Sequence, residues 1–326
     1  MASHLWLSRP WSFGRRVSGP QQAGVIARMH KKQKATMSPR DLWATESRVN
    51  PSAPATSRFA GPGKTVLVTG ASSGIGRCTA WTFARGYPDH LKLVLIARRM
   101  PELIRLMDEI HARWGSRVQV CPVQLDIGDA DQAQSVMTKI PQEFRDIDVL
   151  INNAGVAHGL DEVATIKDKD LEAMTFTNFL GMVKITQAVI RSILERGGRG
   201  DIVNIGSIAG REPYAGGSVY CATKAALRSF TSALRQETVA TNIRVMEISP
   251  GLTRTDLPRV RFAGDEQAAR HVYEGYKPLE AQDVADMILF AITRPQHVVL
   301  ADVLMLCNSQ RPDNNGAKSS CTGRPA

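Results

Sequence analysis

The chain has 326 residues, 43% of them hydrophobic and 22% charged, an ordinary globular composition with enough apolar content for a substantial core. No apolar run reaches the roughly 18 residues that a membrane helix needs, so no membrane span is expected. The net charge of +10 would suggest a nucleic-acid partner if it covered a folded surface. However, eight of the 41 basic side chains lie in residues 1–40, where no acidic residue occurs, so the remainder is near neutral and no nucleic-acid partner is expected.

Residues 1–63 read as a basic extension and linker. The first 40 are Arg-rich and acid-free and include Trp6, Trp11 and Phe13, which fits a disordered extension and a mitochondrial transit peptide equally well. Met29 and Met37 are alternative starts that would bypass it. The expected location is therefore cytoplasmic, or the mitochondrial matrix if the segment targets. "NPSAPATSRFAGPGK" (50–64) has linker composition.

From residue 64 to about 310, short β-branched runs alternate with helical patterns. The strands are "TVLVTG" (65–70), "LKLVLIA" (91–97), "VQVCPVQL" (118–125), "DVLINNAG" (148–155), "DIVNIGS" (201–207), "IRVMEIS" (243–249) and "VVLADVLML" (298–306). Most are almost continuously apolar, as strands buried on both faces are. Long helices are expected at about 168–195 and 217–240. Repeated βαβ units with right-handed crossovers imply one α/β domain, a Rossmann-type doubly wound parallel sheet of about seven strands with helices on both faces. Residues 311–326 read as a flexible polar tail.

The first strand runs into "TGASSGIGR", which places Gly70, Gly74 and Gly76 between a strand and a helix. That context suits a dinucleotide diphosphate, cradled by the Gly70–Gly76 turn (with Ser72, Ser73 and Ile75) and by the helix N-terminus. A NAD-binding second strand commonly ends in an acid that takes the adenine ribose hydroxyls. Here Ala97 is followed by Arg98 and Arg99, two guanidiniums suited to a 2′-phosphate, so the expected cofactor is NADP(H).

The five cysteines show no C-x-x-C and the seven histidines no ligand spacing, so neither a disulfide framework nor a metal site is expected. Tyr220 and Lys224 stand four apart in "SVYCATKAAL", one turn along a helix face. Alone, that spacing is common. Tyr214 has no lysine four residues on, so it is not expected to act as a base, and Cys221 is assigned to packing.

Taken together, "TGASSGIG" (69–76), "NNAG" (152–155), Asn178 in "TNFLG", Ser207 in "IGSIAG", Tyr220-x-x-x-Lys224 and "SPGLTRT" (249–255) resemble the short-chain dehydrogenase/reductase family. "PYAGG" and "VRFAG" are similar to its NADP-dependent 3-hydroxy acid dehydrogenase branch, which includes serine and allo-threonine dehydrogenases. Thr253 departs from the family, which more often has Val there.

The resemblance implies a catalytic tetrad of Asn178, Ser207, Tyr220 and Lys224. Tyr220 would move the substrate proton, with Lys224 lowering its pKa and bonding the nicotinamide ribose. Ser207 would hold the substrate oxygen and Asn178 a water in the proton relay. Asp126 would meet the adenine, while Asn153, Ala154, Gly155, Pro250, Gly251, Thr253 and Thr255 would line the cofactor; a structural strand-end role is the alternative for the NNAG residues and Asp126. Residues 257–275 read as a lid, on which Arg261 either clamps a substrate carboxylate or sits exposed on a loop.

The expected function is NADP-dependent interconversion of an alcohol and a carbonyl, on small 3-hydroxy acids such as serine, allo-threonine or 3-hydroxypropanoate. A carbonyl reductase of bulkier ketones is the alternative, followed by a non-catalytic NADP-binding regulatory protein. The resemblance further implies a homo-oligomer, tetramer or dimer.

Overall fold

The computed structural model describes residues 63–310, apart from positions 88 and 276. The extension and linker assigned to 1–63 (all but its last residue) and the tail at 311–326 lie outside the described residues.

Seven parallel strands form one sheet in the order β3-β2-β1-β4-β5-β6-β9. They are β1 (Lys64–Thr69), β2 (Leu91–Ala97), β3 (Val118–Gln124), β4 (Val149–Asn152), β5 (Arg199–Ile205), β6 (Asn242–Pro250) and β9 (Asp302–Met305). The order reverses between β1 and β4. In such a sheet a crevice opens at that switch point, outside the carboxyl ends of the strands.

Neighbouring residues on each strand serve opposite cores, which is why the strands read as unbroken apolar runs. Val66 and Val68 pack with α1 (Gly74–Gly86), α2 (Met100–Trp114) and α10 (Ala281–Ile292) through Phe83, Leu106 and Ile288. Leu67, between them, joins Ile185, Val189 and Leu234 of α6 (Gly181–Glu195) and α7 (Ser218–Glu237) on the other face. Two short helices, α3 (Ala130–Gln134) and α4 (Val136–Lys139), complete that second layer.

Three features depart from the sequence expectation. The long helix expected from residue 168 runs unbroken to Glu195 but contains a π turn at Phe176–Leu180 that carries Asn178 and divides it into α5 (Asp168–Thr175) and α6. The predicted strand at 298–306 is ordered as a strand only over Asp302–Met305. A two-stranded parallel ladder of β7 (Thr253–Arg254) and β8 (Leu279–Glu280) ties the two ends of the lid together. The lid itself holds two short helices, α8 (Leu257–Arg261) and α9 (Glu266–His271). No described helix is long and apolar enough to cross a membrane.

Candidate active site

A cleft of about 1110 Å³ opens at the carboxyl ends of the strands. Its floor is set by the glycine turn. Gly70 leaves β1 at φ +66°, and a Cβ there would meet the Ala154 Cα at 2.9 Å. A Cβ on Gly76 would run into the Gly70 carbonyl oxygen, so that glycine lets α1 pack tightly against the turn rather than facing the cleft. Ser73, the residue before α1, makes no side-chain cap bond, and the first turn contains no acid. The helix thus presents N–H groups and a positive dipole end into the cleft, where a diphosphate would be favoured.

Asn153 is spent on holding this turn. Its Nδ2 donates to the Thr69 carbonyl at 2.9 Å and the Gly70 carbonyl at 3.3 Å. The Thr69 Oγ1 in turn accepts from the backbone N–H groups of Asn153 and Ala154. Arg98 and Arg99 line the same cleft at the end of β2. The Arg99 guanidinium donates to the Ser72 Oγ, from Nη2 at 3.0 Å, so a guanidinium and a hydroxyl already stand together beside the glycine turn. Asp126 also lines the cleft, with one oxygen accepting from the Gly128 N–H at 2.9 Å.

Into the same cleft, β5 delivers Ser207 and α7 delivers Tyr220 and Lys224. Gly210 lets the turn after Ser207 reach the helix, because a Cβ there would sit 2.8 Å from the Lys224 backbone. Tyr220 is 8% exposed and Lys224 5%. The Lys224 Nζ donates to the Ile205 carbonyl at 2.9 Å and lies 6.0 Å from the Tyr220 ring centroid.

Burial dominates the titration of this pair. It pushes the Tyr220 phenol up to about 12, while a hydrogen bond with Ser207 and the charge of Arg261 pull the other way. Burial also brings the Lys224 ammonium down to about 8, opposed by the Glu247 carboxylate. The cation acting on the phenol is Arg261, while the Lys224 ammonium is turned to the Ile205 carbonyl. The Arg261 guanidinium carbon stands 5.2 Å from the Tyr220 ring centroid and 5.5 Å from that of Tyr214.

Asn178 is 1% exposed and its side chain does not line the cleft. Its Oδ1 accepts from the Val156 N–H at 2.7 Å, and its Nδ2 donates to the Val156 carbonyl and the Thr223 Oγ1. The side chain thus clamps the segment after NNAG to α7, one residue from Lys224. Gly155 must be small beside it, since a Cβ there would lie 3.3 Å from the Asn178 Oδ1 and 3.6 Å from the Lys224 Nζ.

Pro250, Gly251, Thr253 and Thr255 line the cleft from the end of β6. Two residues that sequence reading missed hold that segment. The Tyr273 hydroxyl donates to the Thr253 carbonyl at 3.1 Å, and the Gln310 Oε1 accepts from the Leu252 N–H at 2.8 Å. Both act on backbone atoms, so no side-chain pattern marked them.

A glycine turn at the switch point, an arginine pair at the end of β2 and a serine–tyrosine–lysine group facing one cleft are what a nucleotide-dependent dehydrogenase requires. The family model for short chain dehydrogenase matches residues 64–266. The chain belongs to the short-chain dehydrogenase family. It is 48% identical over 253 residues to an NADP-dependent 3-hydroxy acid dehydrogenase of Schizosaccharomyces pombe, covering 78% of this chain and 96% of that one. It is 39% identical over 234 residues to sulfoacetaldehyde reductase 2 of Chromohalobacter salexigens, covering 72% and 90%. Among solved structures, the closed form of a serine dehydrogenase complexed with NADP+ superposes with a TM-score of 0.69 at 36% identity, over 76% of this chain and 96% of that one. As a dehydrogenase of this family, the protein acts on CH–OH groups.

Proposed function

We propose that this dehydrogenase interconverts small 3-hydroxy acids and their carbonyl counterparts with NADP(H). The observation that carries the reading is Arg261, a guanidinium set over the Tyr220 ring inside the cleft that the glycine turn opens. An acid substrate presenting its hydroxyl to Tyr220 would find its counter-charge there. Relatives named for a hydroxy acid and for a sulfonated aldehyde share one feature, a small anion close to the reacting carbon.

The residues present fit NADP(H): Gly70 and the start of α1 for the diphosphate, Arg98, Arg99 and Ser72 for a 2′-phosphate. When bound, the cofactor supplies the hydride acceptor or donor. The protein handles the proton. In oxidation the substrate O–H bond breaks, and the Tyr220 oxygen, as phenolate, takes the proton while hydride leaves the same carbon. In reduction Tyr220 returns it. Ser207 holds the substrate oxygen, and Lys224 provides the positive charge that a phenolate needs once the cleft is filled.

The long helix α7 and the α5–α6 pair are the surfaces through which copies would associate. Leu171, Phe176 and Leu180 are exposed there. The cytosol is the proposed location, or the mitochondrial matrix if residues 1–40 direct import.

The test is NADP+ reduction across 3-hydroxypropanoate, serine, allo-threonine and neutral secondary alcohols, repeated with NAD+. Turnover of the acids, with NADP+ favoured at least about tenfold over NAD+, is expected. Silence on the acids with turnover of bulky neutral alcohols would replace this reading with that of a bulky-ketone reductase. NADP(H) binding without any turnover would point to a regulatory role.

A further inference from the structure

One row of side chains crosses the sheet beneath α7 and is polar where the rest of that core is apolar. Asn152 of β4, Asn204 of β5, Glu247 of β6 and Asp302 of β9 stand opposite one another in the parallel register. The first three are at most 3% exposed. The Asn152 Nδ2 donates to the Thr186 Oγ1 and the Asn204 Oδ1, each at 2.8 Å, and the Asn204 Nδ2 donates to the Thr231 Oγ1 of α7 at 2.8 Å. Lys224 lies two turns before Thr231 on the same face of that helix. The row therefore runs under the face of α7 that carries the lysine of the cleft.

Glu247 is the buried acid of this row, and an ionisable group is costly to bury unless something needs its charge. Its Oε1 accepts from the Ser249 Oγ at 2.5 Å. A Cβ on Gly206 would come within 2.6 Å of the same oxygen. The carboxylate thus lies against the residue between Ile205, whose carbonyl holds the Lys224 Nζ, and Ser207. The ammonium is bonded to that carbonyl rather than to the acid, so Glu247 acts on it through charge and opposes the effect of burial. Four other groups face the carboxylate. Burial raises its pKa, the Ser249 hydrogen bond lowers it, Asp302 of β9 raises it, and Arg211 after β5 and Arg228 of α7 lower it.

We infer that Glu247 is a positioning residue for the dehydrogenase reaction, a counter-charge built into β6 that keeps the Lys224 side chain an ammonium seated on the Ile205 carbonyl beside Tyr220. This rests on the reading of Lys224 as the cation that the phenolate needs, and is independent of which alcohol is the substrate. Without the acid, a lysine buried in the cleft sheds its proton more readily and the phenolate loses its partner.

The test first reads Lys224 without using turnover. Urea unfolding is followed from pH 6 to pH 10.5 in the wild type, Lys224→Met, Glu247→Gln and the double variant; glutamine keeps the shape and an acceptor for Ser249. The stability that Lys224 contributes climbs with pH from its folded value of about 8. In the Glu247→Gln background the climb should begin about one unit lower, and Glu247→Asp, which keeps the charge, should return it toward the wild-type position. A role in packing alone would lower stability equally at every pH and leave the climb in place, which overturns the inference. Turnover of Glu247→Gln on the best substrate of the screen above should fall behind the wild type as pH rises from 6, to about fivefold at pH 8. A deficit that is the same at every pH overturns the inference as well. If Lys224→Met turns over like the wild type, the reading of Lys224 fails and the positioning role with it, even where the climb has moved. Should Glu247→Gln not fold, the wild type decides: the Lys224 ¹³Cε resonance, assigned by its absence in Lys224→Met, should shift a second time where Glu247 takes up its proton, above the usual carboxylate range. A resonance without that step overturns the inference.

Discussion

The two ends of the same sheet bury a cation in opposite ways. At the amino ends of the strands, Arg244 of β6 faces Asp201 of β5, each side chain 5% exposed. The guanidinium donates from Nε and Nη2 to the two Asp201 oxygens at 2.6 and 3.0 Å. It also donates to the carbonyls of Ile292, Arg294 and Val298. Every face of that charge is used, so it locks β5, β6 and the segment after α10 together. At the carboxyl ends, Lys224 is equally buried but its Nζ donates to one group among the described residues, the Ile205 carbonyl, and the Arg261 Nε has no partner among the described residues. A satisfied buried charge makes architecture, and an unsatisfied one creates a demand that a ligand meets.

Breaking the satisfied end should have the larger effect on stability. Arg244→Leu strands the Asp201 carboxylate and should cost about 3–5 kcal/mol in urea unfolding. Adding Asp201→Leu should restore a large part of that loss, because replacing both members of a buried pair is far cheaper than removing one. A single variant as stable as the wild type would mean that the pair is not what locks this edge.

Lys224→Met should behave in the opposite way, leaving the fold at least as stable as the wild type near pH 7, where the buried ammonium is a cost, with a loss of turnover. The smaller and sharper effect is on pH dependence. The folded ammonium gives up its proton near 8, against 10.5 for an ordinary lysine. The unfolded chain therefore holds more protons between those values, and the contribution of Lys224 to stability rises with pH across that window. The stability of wild type minus Lys224→Met should climb from about pH 8 to about pH 10.5. A flat or falling difference would show that Lys224 is not desolvated in the folded protein.

The strands and the glycine turn were legible because their physics is local. Apolar runs mark strands with two buried faces, and Gly70 and Gly76 stand where a Cβ has no room. Tyr220 and Lys224 were legible through helical spacing. The rest depends on partners distant in sequence. Asn178, expected to hold a relay water, sits in a π turn that aims it at Val156, 22 residues away. Tyr214 carries no local signal, since no lysine follows it at helical spacing and its partner, Arg261, lies 47 residues on. The direction of the Tyr220 shift was also illegible. A sequence shows a neighbouring lysine, but not that burial dominates the titration of the phenol.

The central claim is that Tyr220 carries the proton between substrate and solvent-excluded cleft. Single-turnover reduction of NADP+ by a saturating 3-hydroxy acid in Tyr220→Phe, with NADPH affinity measured on the same protein, tests it most directly. The account predicts hydride transfer slowed by about 10²–10⁴-fold with cofactor affinity within a few-fold of wild type. Transfer within about tenfold of wild type would contradict it.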